Sequence, residues 1–106
     1  MYRQGDVMVV KTDDIFEMNE LEKIERENQR IVLAYGEVTG HAHAIKSTEA
    51  DFYRSKRKDV PHLYLVVNNN VDLSHEEHST ITIPPGKYRV IRQREYIANS
   101  VRTVSD

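Results

Sequence analysis

The sequence predicts a mainly β fold: a single-domain antiparallel β-barrel or sandwich of about seven strands with one short helix. Three observations lead there. Short runs rich in apolar and β-branched residues recur along the chain, Gly, Pro and Asn punctuate them at regular intervals, and only one segment carries helical spacing. Closing or stacking such a sheet also removes exposed edges.

Taken in order, residues 6–12 (DVMVVKT) follow the turn-forming Gly5 and predict the first strand. Ile15, Met18, Leu21 and Ile24 then recur every third residue, and Asp13 or Asp14 can cap the start. Glu22 with Arg26 and Lys23 with Glu27 are i,i+4 pairs. A short amphipathic helix is expected over residues 13–28, with a mobile acidic excursion as the alternative. Residues 30–35 (RIVLAY) return to strand character. Gly36-Glu37-Val38-Thr39-Gly40 reads as a turn, residues 41–46 as a further strand and residues 51–53 as a short one. Residues 55–59 make a charged loop closed by Pro61, and residues 62–67 are the clearest buried strand, ended by Asn68-Asn69-Asn70. Residues 79–83 alternate Thr80/Thr82 against Ile81/Ile83, Pro84-Pro85-Gly86-Lys87 turns the chain, and residues 88–97 return to complete a hairpin. Residues 1–98 are expected to form the domain and residues 99–106 a loose tail.

The length of 106 residues suits one core without covalent staples. The absence of cysteine excludes disulfides, thiolate zinc sites and cysteine nucleophiles, and fits a reducing compartment. Charged residues are 30% of the chain and the net charge is −2, so no global basic field points to nucleic acid. The longest apolar runs, at residues 7–10 and 63–67, are far short of a membrane span, and no signal peptide is expected ahead of the first. A cytoplasmic protein without membrane contact is the expectation.

The chemistry-bearing feature is a set of paired histidines, His41/His43 and His75/His78, which hold four of the chain's five. On a strand, alternate side chains share a face, so His41 and His43 stand about 7 Å apart, from where two imidazoles can converge on one ion. In a helical turn the three-residue spacing of His75 and His78 also puts both rings on one side. Imidazole suits zinc, nickel, copper and ferrous iron, and a divalent metal (zinc, nickel, manganese or iron) is the expected cofactor. Glu49, Glu76 and Glu77 can each add a carboxylate ligand, orient a ring as acceptor or act as general base; Glu49 is taken as the candidate ligand and Glu76 and Glu77 as the candidate catalytic groups. The competing reading is two sets of half-exposed polar residues. His62, beside Pro61, reads as structural. The segment His75-Glu76-Glu77-His78 is not the zincin motif, whose histidines lie four apart on a helix.

A metal-free alternative uses two facing imidazoles as general acid and base near neutral pH, as phosphodiester cleavage would require. Arg92 and Arg94 share a strand face with Tyr88 and Tyr96, so Arg92, Arg94 and Tyr96 are candidate phosphate or ligand contacts. An ordinary solvated face with cross-strand ion pairs gives the same pattern. The Lys56-Arg57-Lys58 cluster, bordered by Asp51 and Asp59, reads as a soluble loop. There is no Gly-rich phosphate loop, nucleophile elbow or calcium loop.

Residues 36–49 (GEVTGHAHAIKSTE) resemble the first metal-binding motif of cupins, and Pro84-Pro85-Gly86-Lys87-Tyr88 is similar to part of the second. The match departs in three places, one of them Glu49, which lies slightly late after the histidines. Gly36 lies one residue too near His41, and the second histidine pair precedes the Pro-Gly turn instead of following it. The resemblance implies a β-barrel holding a divalent metal through His41, His43 and Glu49 with a histidine of the second pair. Residues 2–7, 39–43 and 92–96 also resemble a small, uncharacterised microbial family. The leading expectation is thus a histidine-clustered metal protein, and whether it is an enzyme stays open. The alternatives are a nucleotide- or RNA-processing protein and a non-enzymatic, homo-oligomeric interaction module.

Overall fold

Alternation along each strand decides which side chains turn inward, and two sheets bring their apolar faces together. The computed structural model describes residues 1–14, 17–36, 38–57 and 62–93. The first sheet has six strands: β1 (Tyr2–Gln4), β2 (Val7–Lys11), β3 (Leu21–Lys23), β6 (Ala50–Ser55), β7 (Leu63–Val67) and β10 (Gly86–Arg92). Their order across the sheet is β1-β2-β10-β7-β6-β3. The second has four, β4 (Ile31–Tyr35), β5 (Ala42–Ile45), β8 (Val71–Ser74) and β9 (Ile81–Ile83), in the order β4-β5-β8-β9. All pairings are antiparallel. The fold is a β-sandwich and not a closed barrel.

The register puts Phe52, Leu65 and Tyr88 side by side on the inner face of the larger sheet, with Val7 and Val9 beyond them. Ile45, Leu73 and Ile83 face them from the smaller sheet, and all eight are at most 1% exposed. Truncating a core leucine such as Leu65 to alanine would cost about 2–5 kcal/mol, from lost transfer energy plus the cavity left behind. Tyr88 keeps its hydroxyl satisfied by donating to Pro84 O at 2.7 Å.

Three sequence expectations are corrected. Among the described residues, no α-helix forms in the 13–28 segment; there is a 3-10 turn at Met18–Glu20, and then β3 pairs with β6. Among the described residues of that spacing, Met18 is 60% exposed while Leu21 is buried, so these two do not share one docked apolar face. Asn28 and Gln29 take positive φ (53° and 65°) in a two-residue turn between the bridged Glu27 and Arg30, a geometry that helices exclude. Second, residues 79–97 are not one hairpin. β9 pairs with β8, whereas β10 pairs with β2 and β7 in the other sheet. Pro84 and Pro85 lack the N–H a ladder needs, and the chain crosses between sheets there. Third, residues 71–74 form a strand the sequence reading left out, which makes residues 75–80 the connection of the β8–β9 hairpin. The alternation of Ile81 and Ile83 with Thr82 holds, with Ile83 fully buried and Thr82 exposed. The expected tail, and the part of the last strand beyond Gln93, lie outside the described residues.

One bulge shapes the functional end of the sandwich. Between Val32 and Ala34 the β4–β5 register slips, leaving Leu33 opposite no single partner. Its carbonyl accepts instead from Arg92 Nε at 2.7 Å, so a side chain from one sheet caps the edge strand of the other. Among the described residues, no helix is long and apolar enough to cross a membrane.

Candidate functional site

The two histidine pairs meet because their hairpins end side by side. β5 runs away from its turn and β8 runs toward its own, and the two strands pair, Ala44 opposite Ser74 and Ile45 opposite Leu73. The β4–β5 loop carrying His41 therefore abuts the β8–β9 loop carrying His75 and His78. The β1–β2 turn, Gly5-Asp6, closes the same end from the other sheet. Ring centroids of His43 and His75 lie 4.4 Å apart, those of His75 and His78 4.7 Å, those of His41 and His75 5.8 Å, and those of His43 and His78 5.9 Å. His43 continues the inward row of Ile45 and is 2% exposed.

Two glycines allow this crowding. A Cβ on Gly5, whose φ is +58°, would lie 2.8 Å from His78 Nε2 and 3.3 Å from His43 Cε1. A Cβ on Gly36 would lie 3.0 Å from both His41 Cβ and His75 Nε2. Gly36 N–H also donates to His41 O at 2.8 Å, closing the loop that presents His41.

The hydrogen bonds assign proton positions. Gln4, buried on β1, donates through Nε2 to Leu73 O at 2.9 Å and to Ser79 O at 3.0 Å. Carbonyls only accept, so both amide hydrogens are taken and Oε1 must be the atom facing His43 Nδ1 at 2.8 Å. His43 therefore donates from Nδ1, and its Nε2 lies 3.5 Å from Asp6 Oδ1. His75 is set the opposite way: Glu77 N–H donates to its Nδ1 at 3.0 Å, which puts the proton of the neutral ring on Nε2.

His41, His75 and Glu76 offer one ligand atom each, all within 4.8 Å of one another. His41 Nδ1 is buried and has no hydrogen-bond partner among the described residues; Glu77 Oε2 stands 3.7 Å away. Glu76 Oε1 accepts from Ala42 N–H at 2.9 Å. That bond, then Glu76's own N–H and the nearby His41 and His75, hold the Glu76 carboxyl below its ordinary range.

Residues 3–93 match the profile of a family described as a domain of unknown function, DUF8820. The chain belongs to the DUF8820 family. No curated protein and no solved structure gives a significant match.

In this DUF8820 domain two other expected site residues that the structure describes, Glu49 and Arg92, lie apart from the cluster. Glu49 sits in the β5–β6 loop, where its Oε2 accepts from Asn69 Nδ2 at 3.1 Å. Asn69 precedes β8 and His75 follows it, so about 13 Å of strand separates Glu49 from the imidazoles. Arg92 caps Leu33 O, as above, while Arg94 and Tyr96 fall outside the described residues. His62 sits on the far face of the larger sheet, its Nδ1 accepting from Arg89 Nη2 at 3.0 Å. Burial and then the Arg89 charge lower its pKa. Sequence reasoning missed Gln4, Gly5 and Asp6 as parts of the site, whereas Gly36 entered only through the motif resemblance. A usable signal existed for Gln4: alternation with Tyr2 turns it toward the core, where an amide needs partners.

Proposed function

We propose that this DUF8820 domain binds one divalent metal ion through His41, His75 and Glu76, with His43 and His78 packed beside them. The single observation that carries the reading is the buried Nδ1 of His41, without a hydrogen bond, in a group of two imidazoles and one carboxylate. A buried ring nitrogen without a partner is costly, and a cation supplies the missing contact. The donor set suits zinc or ferrous iron first, and nickel or manganese next. The likeness of residues 36–49 to the first cupin motif supports His41, and Gly36 and Gly5 supply the close approach that the rings need. Such an ion supplies Lewis acidity or an activated water. Glu77, 60% exposed at the side chain, is the group available to move a proton beside it. His43 contributes a ring whose tautomer Gln4 holds, with Nε2 directed at Asp6.

Binding at His75 has a structural consequence. An ion at Nδ1 displaces the Glu77 N–H, and an ion at Nε2 needs the tautomer whose Nδ1 carries the proton and cannot accept. Either way the Glu77 N–H bond to His75 opens. Zinc titrated calorimetrically into chelator-treated protein tests the reading: a one-to-one isotherm weakened at least tenfold by His41→Ala supports it, at about 1.4 kcal/mol per tenfold. An unchanged isotherm in that variant ends it.

A further inference from the structure

A second feature lies at the same end of the sandwich, on the side away from His75 and His78. Between β4 of the smaller sheet and β6, β7 and β10 of the larger, the sheets leave a cleft of about 600 Å³. Its size is that of a small-molecule site. Ile24, Val32, Ala34, Phe52 and Leu63 make its floor.

What sets this cleft apart from an unfinished core is the placement of its cations. Arg54 lies opposite Leu63 in the β6–β7 register, and Leu63 lies opposite Val90 on β10. Arg54 therefore shares the inward side with Phe52, two residues before it, and Arg92 shares it with Val90 and lies opposite Val7. On both strands the inner row passes from apolar to arginine as it reaches the mouth. Arg54 has no hydrogen-bond or ion-pair partner among the described residues, although Glu22 faces it across β3. Arg92 is held by Leu33 O, so its charge is fixed at the rim. The acidic rim residue Glu27 is occupied by Tyr35 Oη, and Asp6 stands at the end next to His43 Nε2.

The geometry points to a binding site for a small amphipathic anion, with its apolar body on Ile24, Val32 and Leu63 and its carboxylate or phosphate on Arg54. Tyr35, more than half exposed at the rim, offers its ring to the same body. The inference goes beyond the metal reading and does not depend on it, because no residue of the cleft is among the three proposed metal ligands. It does fix an orientation: Arg54 lies on β6, whereas Asp6 and His43 lie at the β1–β5 side, so the end remote from the anion comes nearest the imidazoles.

The test uses the full chain, freed of metal by chelator, with decanoate, decyl phosphate and decanol as calorimetric probes. Saturable one-to-one binding of decanoate or decyl phosphate is expected, with decanol about tenfold weaker, since a charge-assisted hydrogen bond is lost. The ratio of the two anions tells which head group Arg54 prefers. Arg54→Gln, at an exposed position, should weaken both anions about tenfold and leave decanol unchanged, and Val32→Trp should exclude all three. If Val32→Trp does not fold, Arg54→Gln decides alone. Equal binding of decanol and decanoate, indifference to Arg54→Gln, or no binding up to the solubility limit would each overturn the proposal. Because the protein is metal-free throughout, failure here leaves the metal reading standing, and the zinc titration fails or succeeds separately.

Discussion

The Nδ1–H of His43 on β5 donates to the Oε1 of Gln4 on β1 across 2.8 Å, and this bond joins the two sheets through a buried amide. Gln4 is committed on every side, because its Nε2 also holds Leu73 O and Ser79 O. One side chain therefore positions β8, the β8–β9 loop and the imidazole of β5.

Gln4→Ala should be among the most damaging polar substitutions in the chain. It leaves two carbonyls and one imidazole N–H without partners in a buried place, at a cost of about 2–4 kcal/mol. Urea unfolding should move its midpoint down with little change in slope. Gln4→Glu should be no better, since a carboxylate cannot donate to Leu73 O and Ser79 O.

Gly5→Ala forces a left-handed backbone on alanine and drives a Cβ to 2.8 Å from His78 Nε2. The expected loss is about 1–3 kcal/mol, with displaced His78 and His43 ring resonances in NMR spectra. Gly36→Ala meets backbone-attached His41 Cβ at 3.0 Å and should shift His41 and His75 instead. Identical spectra for both variants would contradict the packing described here.

Much of this was legible in the sequence, and the omissions have physical causes. Alternation assigned the inward faces of Ile81 and Ile83, and the two histidine pairs were visible as spacing. Their meeting was not visible, because it depends on β5 pairing with β8 across a long sequence separation, and β8 itself is a short strand hidden behind three asparagines. The expected helix failed where local spacing competed with hydrogen bonds offered by the edge of β6. Glu49 followed the histidines closely in sequence, yet β5 carried it to the opposite end of the sandwich.

Acid should destabilise the fold partly through His62. Its pKa is lowered in the folded protein, so the unfolded chain takes up the proton first as pH falls below the ordinary 6.5. The associated stability is present above that value and is lost on acidification toward the folded pKa. His62→Gln should flatten the dependence of unfolding free energy on pH as pH falls below the ordinary histidine pKa of about 6.5. Glu76 carries the same sign at lower pH: its depressed pKa gives stability above its ordinary 4.5 that disappears as pH falls. Glu76→Gln should remove that component.

Zinc should perturb the backbone amide of Glu77 more than that of Ala42. The first loses its acceptor, His75 Nδ1, when the ring takes an ion, while the second can keep Glu76 Oε1. Amide chemical shifts recorded with and without zinc check this ordering.

The central claim is that His41, His75 and Glu76 hold a metal ion, and elemental analysis of untagged protein, purified without chelator, tests it most directly. Beside it stand the His41→Ala and His75→Ala proteins, each verified as folded by circular dichroism. The account predicts close to one equivalent of a single divalent metal in the parent protein, and strong depletion in both variants. Metal content equal in all three proteins, or none in the parent even after incubation with zinc or ferrous iron, would contradict it.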